Sequence, residues 1–296
     1  MIKKDEPTTD TNPKKKATLP KRVGLVLLFA CLLLAGILLW GNTSIQTSFY
    51  EVSLPAEKAG LNGYTIVQVS DLHNAGFGKD QKRLLNAIKK QSPDMIAVTG
   101  DIIDSSRTNI DVAMEFIKGA VEIAPVYYVT GNHEGWVSSN VYQKLTAEME
   151  AAGVILLDNS FCTLYYEDTY FTLMGLMDSD MPGNNYALAK TCLKTIMEQT
   201  DDYTILLSHR PEYFDLYTQY GVNLTLSGHA HGGQFRLPFI GGLYAPNQGL
   251  FPQYTEGTFT EGNTTMVVSR GLGNSVIPLR INNRPELVVV TLTLQD

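Results

Sequence analysis

The chain contains five histidines, and each stands in a short polar motif that follows an apolar run. They occur in Ser70-Asp71-Leu72-His73, Gly131-Asn132-His133-Glu134, Ser208-His209-Arg210 and Gly228-His229-Ala230-His231. A further block, Gly100-Asp101-Ile102-Ile103-Asp104, contributes carboxylates alone. Histidines distributed for packing would not all fall beside Asp, Asn or Gly. Imidazole and carboxylate together are the ligands that a pair of divalent cations needs for hydrolytic chemistry.

Two cations about 3.5–4 Å apart require a shared ligand. Asp101, placed directly after Gly100, is the candidate bridge, with one carboxylate oxygen for each ion. Asp71 and His73 are two residues apart, a spacing that on extended backbone points both side chains to one side. They can therefore bind one ion together. His229 and His231 share that spacing but flank a turn, so they can serve different ions. Asn132 offers a neutral carbonyl oxygen and His209 an imidazole. A water between two such ions loses a proton near neutral pH and becomes a nucleophile. His133 is then left beside a ligand with no ion of its own, suited to protonating the leaving oxygen or stabilising charge on the substrate. Mixed His, Asp and Asn ligands admit Mn, Fe or Zn. Glu134 reads as a helix-start carboxylate, and Asp178 and Asp180 as solvent-facing loop acids.

These motifs need a scaffold that brings strand ends together. Residues 64–70, 94–99, 126–130, 154–157, 170–176, 204–208, 224–227, 266–269 and 287–294 read as strands. Residues 79–92, 109–123 and 141–152 carry helical apolar spacing, with Gly153 as a C-terminal stop. The alternation predicts an α/β fold with helices on the sheet faces, and ligands in such folds gather at the carboxyl ends of the strands. No Gly-x-Gly-x-x-Gly or phosphate-loop lysine motif is present, which counts against nucleotide-cofactor and triphosphatase chemistry.

The order D-x-H, GD-x-x-D, GNHE, H and GH-x-H over residues 64–231 resembles that of the calcineurin-like metallophosphoesterases. The run Gly228-His229-Ala230-His231-Gly232-Gly233-Gln234, with an apolar N-terminal segment, resembles the membrane-associated branch. The resemblance implies a four-layer α/β/β/α sandwich and two divalent metal ions. It implies Asp71, His73, Asp101 and His231 on one ion, Asp101, Asn132, His209 and His229 on the other, and His133 as the catalytic histidine outside both. One departure is that many members carry Arg after the second Asp of GD-x-x-D, where this chain has Ser105 after Asp104. Asp104 is then a hydrogen-bonding residue rather than a ligand. Hydrolysis of a phosphodiester or pyrophosphate is the expected reaction, on a lipid-linked substrate such as that of UDP-diacylglucosamine pyrophosphatases. A phosphomonoesterase with the same site is the alternative. A non-catalytic metal-binding interaction domain is the rival from another class, and an intact ligand set argues against it.

Residues 23–40 form an uninterrupted run of 18 uncharged residues, roughly 27 Å long as a helix and near the thickness of a bilayer core. Lys14, Lys15, Lys16, Lys21 and Arg22 precede it, a basic flank expected to stay cytoplasmic and send the body outside. The run is longer than a usual signal-peptide core, so an uncleaved single-pass anchor in the cell membrane is expected. Residues 1–22 then form a basic tail, 41–58 a polar connector and 59–296 the phosphoesterase domain. With −7 overall, the balance of +4 in residues 1–22 leaves −11 on the remainder, which argues against nucleic acid as a partner. For Cys162 and Cys192, one bridge and two free thiols both stay open.

Residues 232–262 begin directly after the last two histidines and are rich in Gly and large apolar residues, among them Phe235, Leu237, Phe239 and Ile240. They read either as a packed loop or as an apolar rim for an acyl chain or the bilayer. Arg236 is the candidate phosphate contact, and Arg270 and Arg280 are less well placed.

Overall fold

The computed structural model describes residues 21–275 and 277–294, so nearly all of the basic tail lies outside the described residues. The chain divides into two units, residues 1–39 and 40–296. The apolar run is helical: helix α1, Lys21–Thr43, begins in the first unit and ends in the second. It is long and apolar enough to cross a membrane. Its apolar side chains, Leu25, Phe29 and Leu33 among them, are exposed, whereas a core helix would bury them.

The second unit is built on two six-stranded sheets. Its first strands are β1 (Gln46–Leu54), β2 (Thr65–Val69), β3 (Met95–Thr99), β4 (Val126–Val129) and β5 (Ile155–Leu156). Next come β6 (Ser160–Tyr166), β7 (Thr169–Leu176), β8 (Thr204–Ser208) and β9 (Leu224–Ser227). Two short hairpins follow, β10 (Arg236–Leu237) with β11 (Gly241–Gly242) and β12 (Tyr244–Ala245) with β13 (Gly249–Leu250). The last strands are β14 (Gly257–Glu261), β15 (Thr264–Val268) and β16 (Glu286–Leu294). One sheet runs β1-β16-β2-β3-β4-β5, the other β14-β15-β9-β8-β7-β6.

The helices are α2 (Lys82–Lys89), α3 (Ile110–Ala120), α4 (Asn132–Gly135), α5 (Ser139–Ala151), α6 (Tyr186–Met197) and α7 (Phe214–Gln219). Strand periodicity separates three cores. On β2 and β3, Val67, Val69, Ile96 and Val98 face out against Leu84 and Ile88 of α2, Phe116 and Ile117 of α3, and Leu145 and Met149 of α5. Their neighbours Ile66, Met95 and Ala97 face in against Phe171, Leu173, Ile205 and Leu226 of the second sheet. Leu206, Met174 and Met266 face the other way, onto Leu193 and Ile196 of α6 and Leu216 and Tyr217 of α7. Both faces of the central strands are therefore dry, which is why they read as continuous apolar runs rather than alternating ones. The layers are α/β/β/α.

The predicted helices are present but shorter, and α3 starts where Asn109 accepts a hydrogen bond from the Asp111 amide. Gly153 does follow α5, at a positive φ of 96°. The connector reading of residues 41–58 is corrected: β1 lies there and pairs in parallel with β16 over nine residues. Its alternation, with Val52 and Leu54 buried and Glu51 and Ser53 exposed, is that of a strand with one face on the core. Strands β6 and β14 and helix α6 were also absent from the sequence reading. The three cysteines are free. Tyr166 packs edge-on to Tyr64 with centroids 4.8 Å apart, while Tyr165 is exposed.

Candidate metal centre

Strands β2, β3 and β4 run parallel in one sheet and β8 and β9 in the other, so their carboxyl ends share one edge of the sandwich. Asp71, Asp101, Asn132, His209 and His229 each lie within a few residues of such an end. All seven candidate ligands are buried. Backbone hydrogen bonds tie the loops: Asp71 N–H donates to Gly100 O and His73 N–H to Asp101 O.

Five of the seven candidate ligands hold positive φ: Asp71 51°, His73 45°, Asp101 52°, His229 65° and His231 48°. Non-glycine residues rarely adopt this region, and such strain clusters at functional sites. It also corrects the sequence argument for Asp71 and His73, whose side chains converge through two left-handed residues and not through an extended segment. Glycine gives the ligands room. A side chain at Gly131 would run into the Asp101 carboxylate, and one at Gly228 into Ser70 Oγ and Asp71 Oδ2.

Among the described residues, two groups of donor atoms converge, each within 4.8 Å: Asp71, His73, Asp101 and His231, and Asp101, His209 and His229. In the first, His73 Nε2 lies 3.2 Å from His231 Nε2 and 3.5 Å from Asp101 Oδ2. In the second, His209 Nε2 lies 3.3 Å from Asp101 Oδ2, 3.1 Å from His229 Nδ1 and 3.1 Å from Asn132 Oδ1. Asp101 is the shared member, but not by one oxygen per group. Its Oδ2 faces both, while Oδ1 accepts the His133 amide at 2.8 Å.

The tautomers fit this use. His209 Nδ1 donates to Thr99 O at 2.8 Å, which leaves the Nε2 lone pair free. His229 Nε2 donates to Asn247 Oδ1 at 3.0 Å, which leaves Nδ1 free. Burial and neighbouring imidazoles hold His229 and His231 well below the usual histidine range, and burial pushes His73 down to about 3. Burial opposes the charge on Asp101, but His209 and His73 outweigh it and hold the carboxyl well below the ordinary range. For His209, burial is outweighed by Asp101 and Asp71, which push it up to about 10. Uncharged His73, His229 and His231 and a charged His209 thus surround an ionised carboxylate, and a cation binding there would take the place of the His209 Nε2 proton.

His133 belongs to neither group. Its Nδ1 accepts the Ser105 amide at 3.0 Å, and its Nε2 lies 3.2 Å from Ser275 Oγ. Asp104 does not bind it directly, with Oδ1 3.9 Å from Nδ1. It accepts instead from the Ser106 amide and Arg107. A cavity of about 340 Å³, lined by His73, Asn74, Arg107, Asn274 and Pro278 among others, opens onto this side. Another cavity, about 570 Å³, lies at the opposite strand ends beside Leu54, Tyr203 and Asn223.

Several supporting residues escaped sequence reading. Glu134 is fully buried and accepts from four backbone amides: Gly131 at 2.8 Å, Asp101 at 2.9 Å, Ile102 at 3.0 Å and Ile103 at 3.3 Å. It locks the Asp101 loop to the start of α4, a larger role than a helix-start charge. Glu134→Ala should lower unfolding free energy by about 3–5 kcal/mol in urea titrations, since it orphans several buried donors. Unchanged stability would show that the loop holds itself.

Asp178, read as a solvent-facing acid, is instead buried in a bidentate pair with Arg210 at 2.6 and 2.7 Å. Arg210 in turn places Nη1 3.3 Å from His229 Nε2. Its position directly after His209 was the available signal. Arg236 is corrected as the phosphate contact: its guanidinium is engaged by Glu256 and by Gly232 O at 2.9 Å. Arg280 is the cation nearer the ligands. It is fully buried, donates to Arg270 O and Gly273 O, and lies 3.4 Å from His231 Nδ1.

Residues 64–233 match the family model described as calcineurin-like phosphoesterase. The Bacillus subtilis metallophosphoesterase YkuE is 34% identical, over 84% of this chain and 85% of its own. The Escherichia coli phosphodiesterase YaeI is 26% identical over 77% and 82%. A Danio rerio transmembrane protein with a metallophosphoesterase domain is 27% identical over 85% of this chain and 58% of its own length.

Proposed function

From the premise that this chain belongs to the calcineurin-like phosphoesterase family, and is a metal-dependent phosphoric ester hydrolase, we propose that it cleaves phosphodiester or pyrophosphate bonds at the surface of a membrane, with a lipid-linked substrate. The observation that carries the reading is Asp101 Oδ2 facing two converging sets of His and Asp donor atoms while His133 stands beside them, outside both. Asp71, His73, Asp101 and His231 would hold one divalent ion, and Asp101, Asn132, His209 and His229 the other. When bound, such a pair supplies Lewis acidity toward a phosphoryl oxygen and a nucleophile at neutral pH.

The chain's own residues do the rest. The Ser105 amide occupies the Nδ1 lone pair of His133, so the imidazole proton stands on Nε2. From Nε2 that N–H can hydrogen-bond to the departing oxygen and stabilise the charge that develops on it, with Ser275 Oγ holding the ring's outer edge. Glu134 keeps Asp101 in place, and the Arg210 guanidinium, held by Asp178, adds to the burial that keeps His229 uncharged. YaeI, named a phosphodiesterase, supports the diester choice. The purified full chain with Mn added is expected to turn over bis-nitrophenyl phosphate faster than the mono-ester. The reverse preference would make it a phosphomonoesterase.

The apolar helix Arg22–Thr43 and the transmembrane relative support an anchor, with the body outside the cytoplasm because of the basic residues before it. Protease added to intact cells should then digest the body and spare residues 1–22. A protected body would reverse the orientation.

A further inference from the structure

We propose that hairpins β10–β11 and β12–β13 form a face that docks on the lipid bilayer. The inference rests on the anchor reading above and extends it from the helix to the body.

The hairpins present large apolar side chains to solvent. Phe239 at the first tip is fully exposed, Ile240 is 60% exposed, and Leu250 and Phe251 on the second are 68% and 63% exposed. Phe239 and Phe251 hold positive φ, 67° and 55°. For a bulky residue that conformation is a genuine outlier, and here it leaves the ring outside the fold. The two hairpins are continuous: the Leu243 amide donates to Phe235 O and the Phe251 amide to Leu243 O, both at 2.9 Å. Between Gly232 and Phe251 the only charged residue is Arg236, and Glu256 pairs with it. Nothing charged on this stretch opposes entry into an apolar phase.

The occupant follows from where the chain leaves its apolar run. Within the second unit, the residues directly after that run are bonded to the strip that carries the hairpins. Asn42 Nδ2 donates to Arg280 O at 3.0 Å, and the Arg280 amide donates to Asn42 Oδ1 at 2.7 Å. The Arg236 amide of β10 donates to Ile281 O at 3.0 Å, and Gln234 Nε2 to Ile277 O and Leu279 O. Arg284 lies over the Trp40 ring at 4.4 Å and donates to Ser44 O and Ile45 O. Trp and Arg are residues that favour the membrane–water boundary. Within the second unit, Trp40, Asn42, Ser44 and Ile45 are therefore all fastened to the hairpins' support. An exposed apolar patch fixed this near a membrane entry point fits a bilayer surface, into which apolar side chains insert. The same strip carries Asn274 and Pro278, which line the cavity on His73, so a docked body would open its metal centre toward lipid headgroups.

The test uses the full chain, one copy per nanodisc, with lipids brominated on their acyl chains as fluorescence quenchers. All variants carry Trp136→Phe, which removes the second tryptophan, so that Trp40 alone reports the anchor. Phe239→Trp and, independently, Leu250→Trp report the face. Tyr165→Trp, at an exposed position on β6, is the control. The expected result is that Trp40 is quenched, that the emission added at 239 and 250 is blue-shifted and largely quenched, and that the emission added at 165 is not. Quenching of Trp40 with positions 239 and 250 behaving like 165 would overturn the docking face and leave the anchor standing. Absence of quenching at Trp40 and at both probes would overturn both. A blue shift at 239 without quenching, or one seen only with two copies per disc, would overturn the proposal in favour of a protein contact.

Discussion

Asp101→Asn is expected to abolish turnover and leave fewer than two metal ions per chain. Asn can keep the bond from the His133 amide only by presenting its oxygen where Oδ1 now stands. Its NH₂ group then faces His73 and His209, where Oδ2 now serves both. A donor replaces the shared acceptor. Loss of a dinuclear centre removes several kcal/mol of transition-state stabilisation, about 10³-fold or more in rate at ~1.4 kcal/mol per decade. Elemental analysis showing two ions with normal turnover would refute the shared role. The substitution should not unfold the body, because Glu134 still holds the loop through the amides of residues 101–103.

His133→Ala is expected to do the opposite to metal content, leaving both ions in place, while slowing hydrolysis by about 10²–10⁴-fold, the scale of a proton-transfer group. The effect should depend on the leaving group. Nitrophenolate departs with little need of a proton, so its esters should lose less than alkyl esters. Equal losses on both would point to a binding role, and lost metal would make His133 a ligand. Its position supports the first outcome: both ring nitrogens already have partners, in the Ser105 amide and Ser275 Oγ.

Much of the candidate centre was legible because each candidate ligand sits in a local motif at a strand end, and strand ends can be read from apolar runs. The donor atoms were less legible. That Asp101 uses a single oxygen for both groups depends on the His133 amide, which only the folded loop brings near. That His229 offers Nδ1 depends on Asn247, 18 residues away with no signature to mark it. The burial of Asp178 depends on Arg210, 32 residues on. Strand β1 was missed for a different reason. It is polar on one face, and its alternation of buried Val52 and Leu54 with exposed Glu51 and Ser53 resembles a connector unless its partner is known. Helix α6 carried its own signal in Ala189, Leu193 and Ile196, spaced for one helical face.

The position of β16 bears on when the protein can become active. In the first sheet it lies between β1 and β2, the two strands made earliest, parallel to one and antiparallel to the other. The segment before it reaches the centre as well, where the Leu272 and Gly273 amides donate to Ser70 O and Asp71 O. A ribosome delivers these pieces after every other strand of the two sheets. Until they emerge, β1 and β2 have open edges, Asp71 lacks its bracing, and the sheet cannot close. Contacts this far apart along the chain also form slowly. The first sheet and the bracing of Asp71 are therefore completed only once β16 and the segment before it have been made, so a partly made chain cannot assemble the candidate centre.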